Sequence, residues 1–213
     1  MFSFEGFDRR KEEDRIRSEG RLPPGQSLTV KFPVLHYGPV PMFNAATWDF
    51  RVWGEVEEEK TWTWEEFNQL PRESIQMDIH CVTRWSKADT LWEGVSVKTL
   101  VEQGFIKLKP SATHVMQHAE YGFTVNLPLE VVLQDNFLLA THFNGEPLSP
   151  DHGYPLRGVV GYIPSREDLE TPYFWKGAKW LRSLEFMPQD KRGFWEQAGY
   201  HNRADIWREE RFG

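Results

Sequence analysis

Short stretches in which apolar and polar residues alternate, separated by turn residues, constrain the fold of this chain more than any other feature. Trp48, Phe50 and Val52 alternate with Asp49 and Arg51, which is the pattern of a β-strand with one buried face. Strand patterns recur in residues 74–85, 112–128, 129–148 (where a short helix is expected before the strand), 151–164 and 174–187. Helical patterns are few and short, so we expect a mixed α+β fold, rich in β-strands.

Two short helices are predicted from local signals. Thr63 is followed three residues later by Glu66, a capping-box spacing, and Pro71 would end that helix. A second helix is expected over residues 97–103, ended by Gly104. Strands do not alternate with long helices, and no GxGxxG, GxxxxGK[ST] or GxSxG motif occurs. These observations argue against a doubly wound nucleotide-binding fold and a nucleophile elbow.

The chain divides into three parts by composition. Residues 1–20 are charged and weakly patterned, and they are expected to form a mobile arm or a short surface helix. Residues 21–190 form the single predicted domain, whose first segment, residues 21–41, contains five prolines and is expected to be extended. Residues 191–213 form an aromatic and charged extension, expected to pack on or near the domain.

The net charge excludes some functions. The 213 residues carry 25 Lys and Arg against 32 Asp and Glu, for a formal charge of −7. An acidic chain is poorly suited to gripping nucleic acid, which requires a basic face. No apolar run is long enough to cross a membrane, and the charged N-terminus does not resemble a signal peptide. The sequence therefore predicts a cytoplasmic location.

Cys81 is the only cysteine, so it cannot form an intramolecular disulfide or belong to a four-cysteine metal site. Two interpretations fit its position at the end of an apolar predicted strand. It is a buried apolar cysteine, or it faces a pocket, where a thiolate is a strong ligand for a soft metal. Arg84, three residues on, could hold a nearby anion.

Two glycine-containing segments indicate a pocket for a large anion. In DHGYPLR, glycine follows His152 and Arg157 comes at the start of an apolar strand. In KGAK, Lys176 and Lys179 surround Gly177. Each segment alone is compatible with a solvated loop, and together they predict a site for an anionic cofactor.

Four segments, in this order, resemble the oxidoreductase molybdopterin-binding domain of the sulfite oxidase family. They are FPVLHYGPVP (32–41), DIHCVTRWS (78–86), FNGEPLSPDHGYPLRGVV (143–160) and KGAKWLRSLEF (176–186). The chain is most similar to the small bacterial branch that consists of the catalytic domain alone. The resemblance implies a β-rich sulfite oxidase fold that binds one molybdenum on one molybdopterin.

The resemblance also implies roles for individual residues. Cys81 would bond the metal, and the pterin dithiolene would supply two further sulfurs. The residues implied to contact the cofactor are His36, Tyr37 and Gly38 in the early loop, His118 in a strand, His152 and Arg157 in the HGxPxR segment, and Gly177, Ala178 and Lys179 in the KGxK stretch. The sequence after the cysteine is richer in arginine in the eukaryotic sulfite oxidases, whereas this chain reads CVTRWS, which leaves Arg84 as the candidate to hold an anionic substrate.

The function implied is a two-electron oxygen-atom transfer to or from a small substrate. Because the chain has no ligand set for haem or an iron–sulfur cluster, an external carrier would exchange the electrons: a cytochrome, a flavoprotein or a membrane subunit. Three other functions stay open from the residues. They are a cofactor-free cysteine-dependent hydrolase or transferase with Cys81 as nucleophile, a non-catalytic binding domain of the same fold, and a purely structural β domain.

Overall fold

A computed structural model describes the backbone of residues 4–213 and the side chains from residue 9 onward. Five α-helices occur in this part of the chain: α1 (Phe4–Ser18), α2 (Trp64–Asn68), α3 (Val97–Glu102), α4 (Leu129–Val132) and α5 (Phe194–Gln197). The strands are β1 (Ser27–Leu28), β2 (Asp49–Gly54), β3 (Lys60–Thr63), β4 (Glu73–His80), β5 (Trp85–Val95), β6 (His114–Ala119), β7 (Thr124–Pro128), β8 (Phe137–Phe143), β9 (Glu146–Pro147), β10 (Arg157–Val160) and β11 (Leu181–Met187). The predicted strand-rich α+β fold is thus confirmed.

The described strands form two sheets. The first sheet has the order β1-β5-β8-β10, with β4 paired to β5 and β9 paired to β8. The second has the order β3-β2-β11-β6-β7. Most neighbouring pairs are antiparallel, and the parallel pairs are β1 with β5 and β2 with β11. Among the described residues, no helix is long and apolar enough to span a membrane.

The main hydrophobic core lies between the two sheets. Phe50 and Leu184 from the second sheet pack with Leu139 and Val160 from the first, and Phe67 of α2 joins them. A second apolar cluster, which includes Met77, Leu138 and Val159, lies on the other face of the first sheet. Strands β8 and β10 are therefore buried on both faces, because successive side chains point to opposite sides. Arg157 shares the outer face with Val159, and this places it at the candidate site.

The local signals in the sequence have structural counterparts. Thr63 and Glu66 form the expected capping box of α2, and Gly104 follows α3 with a φ of 78°. Asn144 and Gly145 both have positive φ in the tight turn between β8 and β9. Each of these features depends on residues close in sequence, which explains why they could be predicted.

Both terminal segments pack on the domain. Helix α1 covers residues 4–18 of the charged arm, and residues 1–3 lie outside the described part. Ile16 of α1 packs with Leu22 and Leu28. Arg21 forms a buried bidentate ion pair with Asp78 of β4, at 2.7 and 2.9 Å. At the other end of the chain, α5 and the residues after it pack beside the cavity described below.

Candidate active site

A cavity of about 330 Å³ opens on the outer face of the first sheet. The residues that line it come from five segments that are distant in sequence: Phe32–Tyr37, Cys81–Trp85, His152–Arg157, Phe174–Trp180 and, from the C-terminal segment, Trp195 and Tyr200. Phe123 completes the lining. Among the described residues, none of those that line the cavity carries a carboxylate, whereas the cations Arg157 and Lys179 belong to the lining. Its charge therefore suits an anion.

Cys81 lies at the first position after β4 and faces this cavity. A tight turn follows, in which the Arg84 N–H donates to the Cys81 carbonyl at 3.0 Å and β5 then begins. The thiol is buried, with 7% exposure for the residue, and its Sγ lies 3.1 Å from the Thr83 hydroxyl. Burial raises the pKa of the Cys81 thiol, and the Thr83 contacts and the charge of Arg211 oppose that rise.

Arg157 is a buried cation held by backbone carbonyls. Its guanidinium donates to the carbonyls of His152 at 2.9 Å and Gly177 at 3.4 Å, and it stacks on the Phe174 ring at 4.2 Å. Burial lowers the pKa of Arg157 to about 9. Among the described side chains, none forms an ion pair with it, so a ligand anion could neutralise its charge.

Lys179 and His152 lie beside Arg157. The Lys179 ammonium donates to the Asp151 carbonyl at 2.8 Å, and burial followed by the charge of Arg157 lowers the pKa of Lys179 to about 7. The His152 Nε2 lies 3.2 Å from the Phe32 carbonyl, and its Nδ1 lies 2.8 Å from the Ser149 hydroxyl. Because a carbonyl can only accept, Nε2 carries the proton and Nδ1 accepts from Ser149. Burial and the charge of Arg157 lower the pKa of His152 and favour its neutral form.

Glycines bring the backbone close together on this side of the cavity. A Cβ on Gly177 would lie 2.2 Å from the Gly158 carbonyl oxygen, so the two segments can approach only without a side chain there. The buried Gln117 side chain secures the same segment: it donates to the Lys176 carbonyl at 2.7 Å and accepts from the Ala178 N–H at 3.0 Å. The predicted residue Ala178 is buried in the main hydrophobic core and is not part of the lining of the cavity.

The early loop contributes two of its three predicted residues. His36 and Tyr37 line the cavity, where His36 packs edge-on against Trp180 and Tyr37 contacts Phe194. Gly38 does not line the cavity, and it accepts from His36 Nδ1 through its carbonyl at 2.9 Å. Its φ of 78° lies in the left-handed region that glycine adopts readily.

Two predicted residues lie elsewhere, and the interpretations that placed them at the site are not retained. Arg84 has a φ of 74° and is exposed on the outer side of the turn, where its guanidinium approaches Gly25. His118 points away from the cavity and contacts Glu185 at 2.8 Å on the surface of the second sheet. Its neighbour Gln117 points inward instead, since adjacent strand residues face opposite sides.

The aromatic wall of the cavity was missed by the sequence reasoning, which took the C-terminal aromatic residues as packing. The Tyr200 ring lies 5.6 Å from the Trp175 ring and 5.3 Å from the Trp195 ring, and all three side chains line the cavity. The abundance of tryptophan in the chain was a signal for such a wall, but it did not indicate which residues would meet.

Lys176, which the KGAK segment indicated for the same anion, has a different role. Its ammonium is fully buried and forms an ion pair with Glu196 of α5 at 2.6 Å. In the part of the chain that the structure describes, no three His, Cys, Asp or Glu side chains converge as a metal-binding cluster. Cys81 is thus available as one ligand of a metal whose other ligands come from a cofactor.

The residues present fit a molybdenum on a phosphorylated pterin. The cavity brings together a thiol that suits a soft metal, an aromatic lining that suits a flat ring system, and the buried cation Arg157, which has no acidic partner among the described side chains and suits a phosphate. Because Gly158 and Gly177 approach each other closely and have no side chains, backbone atoms rather than side chains lie beside Arg157.

Comparison with known proteins identifies the family. The family model described as the oxidoreductase molybdopterin binding domain matches residues 37–195. The uncharacterized oxidoreductase YuiH of Bacillus subtilis (strain 168) is 42% identical over 207 residues, which cover 97% of this chain and 98% of that protein. Nitrate reductase (NADH) 2 of Phaseolus vulgaris is 25% identical over 188 residues, which cover 74% of this chain but only 20% of that protein.

A solved structure confirms the fold. The crystal structure of the sulfane dehydrogenase SoxCD from Paracoccus pantotrophus superposes with a TM-score of 0.61 at 20% identity, and the match covers 73% of this chain and 42% of that chain. Together with the family match, it shows that this chain belongs to the oxidoreductase molybdopterin-binding domain family, in a small, sulfite oxidase-like form, whose cofactor is molybdenum on molybdopterin.

Proposed function

We propose that this protein is a molybdenum-dependent oxidoreductase that transfers an oxygen atom to or from a small substrate. The observation that carries the proposal is that Cys81 opens into the same cavity as Arg157 and Lys179. A single ligand that bonds the thiolate at one point and places a phosphate between the two cations would use both features. When bound, the molybdenum cofactor would supply the two-electron redox change and the acceptor for oxygen.

The protein residues have separate tasks in this proposal. Cys81 provides the metal ligand, and Thr83 donates its hydroxyl hydrogen to the thiolate at the observed 3.1 Å contact. Arg157, Lys179 and Gly177 bind the anionic part of the cofactor. His152 packs its ring on Phe32 at 3.9 Å, and burial together with the charge of Arg157 lowers its pKa.

The described structure supports oxidoreductase chemistry over cysteine-dependent hydrolysis. A cysteine hydrolase needs a base hydrogen-bonded to the nucleophile, and the side chain that contacts Cys81 Sγ is the hydroxyl of Thr83. The neighbouring His80 is buried and bonds Ser86, and burial lowers its pKa to about 3. His80 is therefore a neutral structural residue.

Electrons are proposed to pass singly to or from an external carrier, because the chain carries no haem or iron–sulfur ligand set of its own. We propose a reaction class and no named substrate, because a nitrate reductase and a sulfane dehydrogenase are both among the similar proteins by name. The cytoplasmic location expected from the sequence stays a prediction.

A turnover assay tests the proposal. Protein shown to contain about one molybdenum per chain is assayed with reduced benzyl viologen plus nitrate or sulfoxides, and with ferricyanide plus sulfite. We expect turnover with at least one substrate, loss of turnover in Cys81→Ser, and retention in the control His118→Gln, whose side chain lies outside the cavity. Full turnover in Cys81→Ser, or none with any substrate in the loaded wild-type protein, would contradict the proposal.

A further inference from the structure

We propose that Gln26 and Arg211, contributed by opposite ends of the chain, are positioning residues that hold the turn carrying Cys81; this inference rests on the proposed function of Cys81 as metal ligand. Each donates a hydrogen bond from its side chain to a backbone carbonyl of that turn. Both lie outside the family match, which covers residues 37–195. The N-terminal and C-terminal segments would thereby help to position the metal ligand.

The turn needs support from outside. It links β4 to β5 through Cys81–Arg84, and Arg84 adopts a φ of 74°, a conformation that residues other than glycine rarely adopt. Such a conformation persists where surrounding contacts fix it. Within the turn, the Cys81 N–H donates to the Trp85 carbonyl at 2.8 Å and the Arg84 N–H donates to the Cys81 carbonyl at 3.0 Å.

Gln26 supports the first carbonyl of the turn. Its Nε2 donates to the Cys81 carbonyl at 3.0 Å, and its Oε1 accepts from the Ser86 hydroxyl at 3.3 Å. The side chain is 3% exposed, so these contacts are shielded from water. The next residue, Ser27, donates its N–H to the Arg84 carbonyl at 3.0 Å and begins the parallel pairing of β1 with β5. The proline-rich segment is therefore fixed to both ends of the turn.

Arg211 supports the second carbonyl. Its Nη1 donates to the Val82 carbonyl at 2.5 Å, its Nη2 donates to the Pro24 carbonyl at 3.4 Å, and its guanidinium stacks on the Tyr173 ring at 4.8 Å. The residue is 6% exposed, although it is third from the C-terminus. It thus connects the C-terminal segment, the proline-rich segment and the turn in one place.

The two contacts fix the direction of the Cys81 side chain in addition to stabilising the fold. Because the carbonyls of two successive residues are held by separate side chains, the peptide planes on the C-terminal side of Cys81 are fixed, and with them the direction of its Cα–Cβ bond. Groups that orient a metal ligand influence metal affinity and the electronic properties of the metal. We therefore expect loss of either contact to change the thiolate–metal bond in chains that remain folded.

The test compares Arg211→Gln, Arg211→Lys and Gln26→Ala with the control Arg208→Gln. Arg208 belongs to the same segment but is exposed, and its backbone N–H donates to Asp205 Oδ1 at 3.0 Å. Three quantities are measured: molybdenum retained per chain after dialysis, the thiolate-to-molybdenum charge-transfer absorption, and hydrogen exchange at the Cys81 and Arg84 amides in cofactor-free protein.

We expect Arg211→Gln and Gln26→Ala to lose about tenfold in cofactor affinity, to shift the absorption band in the molecules that keep the metal, and to exchange these two amides faster. Arg211→Lys keeps a donor for Val82 and should recover part of each effect, and the control should match the wild-type protein. A merely structural role would lower the melting temperature without moving the band.

The outcomes separate this inference from the proposed function. Wild-type protein that binds no molybdenum would contradict the proposed function, while the exchange measurement would still test the support of the turn. Unchanged exchange and an unchanged band in both Arg211→Gln and Gln26→Ala would overturn the inference and leave the proposed function intact. If Arg211→Gln does not fold, Gln26→Ala and Arg211→Lys decide the question.

Discussion

The buried ion pair between Lys176 and Glu196 gives the sharpest stability prediction, for the substitution Glu196→Gln. Both side chains are 0% exposed, and the Lys176 ammonium donates to Glu196 at 2.6 Å, to Asn126 Oδ1 at 2.8 Å and to the Asn202 carbonyl at 2.8 Å. The pair joins α5 to the segment that supplies Trp175 and Gly177 to the cavity. Glutamine has nearly the same shape, so the substitution removes the charge and little else.

The expected loss of unfolding free energy is about 3 kcal/mol at pH 6. Breaking a buried pair by removing one partner costs about 3–5 kcal/mol, since it leaves an uncompensated charge. The lower end applies because two neutral acceptors remain for Lys176. Burial already lowers the pKa of Lys176, although the charge of Glu196 opposes this, and without Glu196 the pKa falls further.

The sign of the pH dependence follows from this pKa. Lys176 in the folded variant loses its proton at a lower pH than in the unfolded chain, so between these two pKa values the unfolded state binds more protons. Stability therefore rises with pH in that window, and the penalty of Glu196→Gln becomes smaller from pH 6 to pH 9. Below the folded-state pKa the penalty is fully present.

The loss of unfolding free energy is measured by equilibrium urea unfolding at pH 6 and pH 9, followed by tryptophan fluorescence. The control is Glu58→Gln, which removes an exposed ion pair with Lys60 and should leave the urea midpoint close to that of the wild-type protein. The double variant Lys176→Met/Glu196→Leu should recover most of the stability. A loss below about 1 kcal/mol at pH 6, or an equal loss at both pH values, would refute the reasoning.

Three further predictions concern the cavity. The pKa of Lys179 is lowered to about 7, so its charge is lost as pH rises from 6 to 8, and cofactor-free protein should bind sulfate more weakly over that range. Calorimetry should show that this pH dependence disappears in Lys179→Met. If it persists, Lys179 is not an anion-binding residue of the cavity. Gly177→Ala places a Cβ 2.2 Å from the Gly158 carbonyl oxygen and should release cofactor from folded protein, as measured by molybdenum content. Full retention of molybdenum would show that the backbone can shift to accommodate the Cβ without loss of cofactor. Arg84→Gln should change the kcat/KM for an anionic substrate by less than about twofold, and a tenfold loss would return Arg84 to the site.

The sequence predicted those parts of the fold that depend on near neighbours. The strand pattern expected over residues 74–85 corresponds to β4 and the start of β5, and Ile75, Met77 and Ile79 of β4 all join the second apolar cluster. The central position of β5, which spans Trp85–Val95 and pairs with β1, β4 and β8, was not predicted. Strand pairing joins residues far apart in sequence, so alternation of side chains does not reveal it.

The site was predictable where a motif fixes the backbone, and less so where a single side chain had to choose a direction. Cys81, Arg157 and Lys179 share a cavity, in agreement with their motifs. Arg84 was misplaced because its positive φ redirects the side chain, and no residue type in CVTRW signals that conformation. His118 was misplaced because Gln117 and His118 are both polar, so their polarity did not show which one faces inward.

The bond between Cys81 and molybdenum is the central claim, and X-ray absorption at the molybdenum edge tests it most directly. The spectrum of the loaded wild-type protein is compared with that of Cys81→Ser reconstituted with the same cofactor. We predict that the variant has one sulfur neighbour fewer at the metal, with the cofactor's own sulfurs unchanged. An identical sulfur shell in the two proteins would contradict the account.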